Sequence, residues 1–365
     1  MIAWWKRARQ TRTDVHSQQA AAESRRRGTA LAYRTLACAQ LTAQLMLWVS
    51  LYAYDRTLQT VWQAAALQAL PLYALYALWR RGAPAAGTRA GAWWCLLLLP
   101  CLALDGMALL CALSAHMSEL IPAASPVSCT LSAGGAALVT VLLARRNGVA
   151  YGAYALRWLL AALLLLATVL VNARADTVRL WPFWGQGPGV TALTALGGVG
   201  GAWGVALLFA LPGASAGQER GRSWLWPLAP WAALMLWALW HALVWPWQPG
   251  DALTVGERLT GLARHSSSIA FLELTGVFWL LLLIVALFGV LDAGEKILCR
   301  ALPRTPRPVA VLAMLAPALA AALAWPSGLA DAAAALLPYR AALSLSAGIG
   351  LAVMRARMPG GGEGA

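Results

Sequence analysis

Charge is scarce in this chain. Only 12% of its 365 residues are Asp, Glu, Lys or Arg, and the acidic ones number 14. A soluble chain is nearer one quarter charged, so this composition excludes a wholly water-exposed fold. Histidine is scarcer still, at four. The six cysteines (Cys38, Cys95, Cys101, Cys111, Cys129, Cys299) form no CxxC pair and have no histidine at zinc-ligand spacing. They read as reduced small hydrophobes, and neither a metal site nor a disulfide is expected. The chain also lacks a GxxxxGK[ST] phosphate loop, HExxH, GxSxG and an EF-hand loop. The stretch His265–Ser268 sets a base beside hydroxyls, but adjacent residues rarely form a catalytic pair. It reads as the polar mouth of a helix. Short loops without clustered carboxylates or metal ligands argue against an enzyme acting on lipid-linked substrates. The expectation is a non-enzyme with no cofactor.

What the chain does have is apolar length. Sixty per cent of it is hydrophobic, in runs near the 20 residues needed to cross a hydrocarbon core of about 30 Å. Candidate spans cover residues 29–54, 58–79, 92–115, 120–144, 149–172, 189–211, 225–246, 269–293, 307–326 and 334–354. Residues 1–28 lack the apolar core of a leader and read as a basic cytosolic tail, with a short flexible tail at 355–365. The formal charge of +14 is scattered among the breaks between spans, so it suggests topology rather than a phosphate-binding stripe. With the N-terminus taken as cytosolic, twenty Lys and Arg fall in one set of loops. The alternate set holds six: Arg56, Arg174, Arg179, Arg258, Arg264 and Arg340. That asymmetry predicts ten spans with both termini cytoplasmic. Tryptophans at span ends, including Trp93, Trp94, Trp181, Trp184 and Trp325, fit the aromatic belt at a lipid–water boundary.

Within the sixth span, Gly197, Gly198, Gly200 and Gly201 lie near the midplane. Two readings compete there. Such residues let a neighbouring helix approach closely, or they mark a discontinuous helix whose freed backbone groups line a substrate site. Ten spans divide into five plus five, and the first and sixth then start from opposite sides, as an inverted repeat requires. Gln40 and Gln44 lie on one face of the first span at the matching depth. They serve either that site or a simple interhelical hydrogen bond. Ionisable residues inside spans are expensive and turn to a cavity or a partner. Asp105 is mid-span in the third helix, and is expected to be protonated or paired with an arginine such as Arg157. Glu273 lies near the start of the eighth. Arg34, Asp292 and Glu295, nearer span ends, are expected to snorkel to water.

Four stretches carry a resemblance to a known family. They are YDRTLQTVWQAAALQALPLYALYALWRR (Tyr54–Arg81), the ARRNGVAYGAYALRW turn with Gly148 and Arg157, the VRLWPFWGQGPGV lead into the sixth span, and the stretch from LELTGVFW to ALAWP (Leu272–Pro326). The layout is similar to the spore germination permeases, the B subunits of nutrient germinant receptors, within the amino acid–polyamine–organocation superfamily. Members usually carry glycine in the first helix, where this chain has QLTAQLMLW. The resemblance implies an all-α polytopic membrane protein with a five-plus-five inverted repeat, here 29–172 and 189–354. It also implies a small-molecule pocket between the first and sixth helices, and function with an A subunit and a lipoprotein C subunit in the inner spore membrane. By that resemblance a nutrient such as an amino acid would dock at Gly197, Gly198, Gly200 and Gly201 against Gln40, Gln44 and Trp203. The alternative is a secondary transporter with Asp105, Arg157 or Glu273 as coupling or buried charges.

Overall fold

The structure, a computed structural model, describes residues 28–52, 58–80, 89–121, 123–144, 147–172, 186–206, 228–244, 269–326 and 328–357. The two chain tails lie outside these residues. Among the described residues the secondary structure is helical, with no strand. The first helix, α1, runs over residues 28–47 and ends in a π turn at Trp48–Tyr52. It is followed by α2 (Leu58–Leu67), α3 (Ala69–Arg80), α4 (Arg89–Leu120), α5 (Pro126–Leu143) and α6 (Gly148–Asn172). Then come α7 (Pro188–Ala206), α8 (Leu228–Val244), α9 (Ile269–Ala301), α10 (Arg307–Ala324) and α11 (Leu329–Arg357).

Each candidate span contains helix, and the departures from the expected bounds have local causes. The second span is interrupted at Gln68, between α2 and α3. Pro71 follows three residues later, and it lacks the N–H that a continuous helix would give to the carbonyl of Leu67. The helix of the eighth span continues to Ala301, and that of the tenth begins at Leu329 rather than 334. Starts are marked by ordinary chemistry. Ser125 caps α5 by accepting from the Ser128 N–H, with Pro126 in the first turn. Gly187, immediately before α7, has φ +97°, which a side chain would strain.

Six helices are long and apolar enough to cross a membrane: Cys95–Leu120, Pro126–Leu143, Gly148–Leu166, Thr275–Ala301, Arg307–Ala324 and Asp331–Gly350. The chain is thus consistent with a multi-pass membrane protein. The windows in α4 and α9 are 61% and 72% buried against 28–39% for the other four, so α4 and α9 form the centre of the bundle. They pack on each other, α10 and α11 pack on α4, and α7 packs on α11. The outward faces are apolar: Leu165, Leu193 and Ile349 are each at least 64% exposed. In water such a surface would aggregate, whereas in lipid it is the expected one. Trp93 and Trp325 are exposed at or beside the ends of α4 and α10, whereas Trp48, Trp237 and Trp279 are fully buried. Trp237 meets Trp279 edge to face at 5.6 Å.

Side-chain bonds show which helix ends share a side of the bundle. The start of α1 meets the start of α6, with Thr29 Oγ1 2.8 Å from the Tyr151 hydroxyl and Tyr33 donating to Asn147 at 2.9 Å. Arg307, opening α10, donates to the Val141 and Ala144 carbonyls at the end of α5. Towards the other side, the His116 ring near the end of α4 donates to the Gly276 carbonyl near the start of α9 at 3.0 Å.

Candidate functional site

Asp105 sits on α4, the most enclosed helix after α9, and is 1% exposed. A carboxyl in such a position needs a counter-charge. Arg340 of α11 supplies it: its Nε lies 3.4 Å from Asp105 Oδ1, and both side chains are essentially inaccessible. Arg340 stands eleven residues beyond Leu329, where α11 begins. At 1.5 Å per residue that is about 16 Å along the helix, half of a hydrocarbon core. Gln44, from α1, completes the group by accepting a hydrogen bond from Arg340 Nη1. A fully buried acid, base and amide thus join α1, α4 and α11 at the heart of the bundle.

This arrangement corrects three expectations. The partner of Asp105 is Arg340, not Arg157. Arg157, on α6, is half-buried, donates to the Tyr154 carbonyl at 2.8 Å and lies over the Tyr154 ring at 3.4 Å. Arg340 belongs inside a helix rather than among the basic residues of the sparse loops. Asp292 and Glu295 do not snorkel. Because α9 continues past them, both are buried, Asp292 paired with Lys296 and Glu295 3.4 Å from Arg307.

The discontinuous helix that one of the two readings placed at Gly197–Gly201 is absent. Helix α7 runs unbroken from Pro188 to Ala206, and the other reading of its glycines accounts for them. A Cβ added at Gly200 would lie 2.6 Å from the Ala341 backbone nitrogen and 2.9 Å from the Arg340 carbonyl carbon. Only a glycine lets α7 press this closely on α11. Ser344, one turn on from Arg340, donates to the Gly200 carbonyl at 3.2 Å. Gly198 makes room for side chains, since a Cβ there would meet the Gln68 amide at 2.6 Å and the Trp48 ring at 2.9 Å. Gln68 Nε2 donates to the Ala195 carbonyl at 2.6 Å. The irregular backbone lies opposite this face, in the π turn of α1 and at the α2–α3 break.

Of the two candidate glutamines, Gln40 is committed to an interhelical bond, donating to the Ala286 carbonyl of α9 at 2.9 Å. Gln44 belongs to the charged group. The side chains of Trp203 and Glu273 lie outside the described residues. Gly197 and Gly201 are part of the continuous helix. Arg340 is the member that was missed, because it was counted with the loop cations although it lies inside the candidate span 334–354. The signal was available, because Asp105 required a cation at its own depth and Arg340 follows an Ala- and Leu-rich run that is long enough to be helix.

Chemically, the group is underspent. Five of its buried atoms make no hydrogen bond: Gln44 Nε2, Asp105 Oδ1 and Oδ2, and Arg340 Nε and Nη2. Three are donors, two of them on the Arg340 cation, and two are acceptors on the Asp105 carboxyl, held side by side in a low-dielectric interior where each hydrogen bond counts for more than in water. Among the described residues no three His, Cys, Asp or Glu side chains gather as metal ligands. Compared with models of known protein families and with curated protein sequences, the chain matches none.

Proposed function

We propose that this chain is the nutrient-sensing membrane subunit of a spore germination receptor, built on an amino-acid permease scaffold. In this reading it has about ten spanning helices and cytoplasmic termini. It lies in the inner spore membrane beside an A subunit and a lipoprotein C subunit. The family resemblance supports the setting, and the alternation of basic residues supports the topology.

One observation carries the ligand class: the five unspent polar atoms of Gln44, Asp105 and Arg340. An amino acid zwitterion is their complement. Its carboxylate accepts from Arg340 Nε and Nη2 and Gln44 Nε2, and its ammonium donates to the two Asp105 oxygens. Insertion exchanges one buried ion pair for two, with more hydrogen bonds, so the exchange leaves no charge uncompensated. Binding between α4 and α11 changes their spacing, and partner subunits read the population shift as the signal. The site replaces the helix-six site expected from the glycines and keeps Gln44.

A second reading is secondary transport with Asp105 carrying the coupling proton. It is favoured by the carboxyl accepting no hydrogen bond, with one cation at 3.4 Å. Binding and uptake of a labelled amino-acid panel, with the full chain in sealed vesicles with and without partner subunits, separates the two. Saturable binding without accumulation, lost in Arg340→Gln, is the expected result. Concentrative uptake abolished by a protonophore and by Asp105→Asn would establish the transporter instead. Absence of binding in every condition would refute both.

A further inference from the structure

Where α5 passes into α6 and α9 into α10, the bundle forms a half-open cavity of about 460 Å³. Its wall is assembled from four places in the chain. Tyr33 comes from the second turn of α1, and Asn147 from the turn before α6. Glu295, Lys296 and Arg300 come from the last turns of α9, and Arg307 opens α10. The volume falls in the range of small-molecule sites, about 300–1,000 Å³.

The wall is built rather than incidental. The Tyr33 hydroxyl donates to Asn147 Oδ1 at 2.9 Å and accepts from Lys296 Nζ. Lys296 in turn is anchored by Asp292 and stands 4.7 Å from the Tyr33 ring centre. Arg307 is held by the Val141 and Ala144 carbonyls at 2.8 and 3.0 Å, with its Nε 3.4 Å from Glu295. Three cations therefore face the cavity against Glu295 in its wall. With Asp292 behind Lys296 also counted, three positive charges meet two negative, and the site stays positive by one.

We propose that this cavity binds a phosphate group, either a lipid headgroup's or that of a soluble phosphate ester. Lys296 and Arg300 take the phosphate oxygens, because converging ammonium and guanidinium groups suit an anion with several acceptor oxygens. Tyr33, Asn147 and Glu295 face the hydroxyl or amine of the attached group. All the lining residues lie at or near helix ends on one side of the bundle, level with the headgroups in the membrane reading. The inference shares no residue with the Gln44–Asp105–Arg340 group and stands apart from any amino acid bound there.

Cys299 lines the same cavity and is half-buried, so it reports occupancy without any substitution. Its alkylation by a polar maleimide would be followed by peptide mass mapping, with the full chain in micelles of an uncharged, phosphate-free maltoside detergent, alone or doped with phosphatidylglycerol. Each would be run with inorganic phosphate or with chloride at equal ionic strength. Protection of about tenfold is expected once the probe stands near ten times its Kd. Slowing by inorganic phosphate in the lipid-free micelles marks a soluble ester, and slowing by phosphatidylglycerol alone marks a headgroup. Arg300→Gln should remove the protection in either case. Equal Cys299 rates in all four conditions, or full protection persisting in Arg300→Gln, would overturn the proposal.

Discussion

Replacing Gly200 by alanine tests the packing of α7 on α11 directly. The added Cβ would stand 2.6 Å from the Ala341 nitrogen and 2.7 Å from its Cα, where ordinary contact begins at 3.4 Å. The obstacle is backbone on both sides, so no side chain can rotate away. The helices must part by about 0.8 Å, the difference between those two distances. A shift of that size stretches the Ser344-to-Gly200 bond and moves Arg340 relative to Asp105. Overpacking of this kind costs about 1–3 kcal/mol, and the rigid obstacle puts Gly200→Ala at the upper end. Gly152→Ala is the control. Its Cβ meets nothing within 4 Å, and helix propensity alone would stabilise it by up to about 1 kcal/mol. Thermal unfolding of the two variants in one detergent, read by tryptophan fluorescence, should place Gly200→Ala well below the parent and Gly152→Ala at or above it. Equal midpoints for both would refute the close approach.

Other outcomes follow from the same contacts. Asp105→Asn leaves Arg340 charged and unpaired in the core and should cost about 3–5 kcal/mol, whereas Asp105→Asn with Arg340→Gln should recover most of it; a denaturation series of the three proteins checks this. Gln40→Leu removes one buried donor and should cost about 1 kcal/mol in the same assay without altering amino-acid binding, since Gln40 bonds to Ala286 rather than to the charged group. Arg307→Ala frees the last carbonyls of α5 and should lower stability by about 1–2 kcal/mol, with hydrogen exchange rising first at the end of α5. Cysteines placed at Ala124 and Gly328 should react with an impermeant reagent from one side of sealed vesicles and a cysteine at Arg304 from the other; labelling of all three from one side would sink the span assignment.

The helices were legible because each is an apolar run bounded by polar breaks, and lipid admits little else. The bounds were less so. The tenth span was placed at 334–354, five residues short of where α11 begins at Leu329. Arg340 lies inside that span yet was counted with the loop cations, which hid the partner of Asp105. The pair itself joins residues 235 positions apart in the chain, 340 less 105, and no local pattern encodes such a contact. The glycines of α7 were ambiguous for a different reason. A dense run of glycine suits a broken helix and a close approach equally well, and what decides between them is the α11 backbone lying against Gly200. Conversely, the π turn of α1 has no compositional mark: WVSLY holds neither glycine nor proline.

The seating of Gly200 against Ala341 also limits how the molecule can move. Two helices in backbone contact, with a serine bonded across them, slide or tilt as one body. A rocking step in this bundle therefore carries α7 and α11 together. The flexing falls to places where the helical ladder is already interrupted, the π turn after residue 47 and the break at Gln68. Both abut α7 near Gly198, through Trp48 and Gln68. The hinge and the rigid body thus meet at neighbouring glycines, one admitting side chains that turn and the other a backbone that does not.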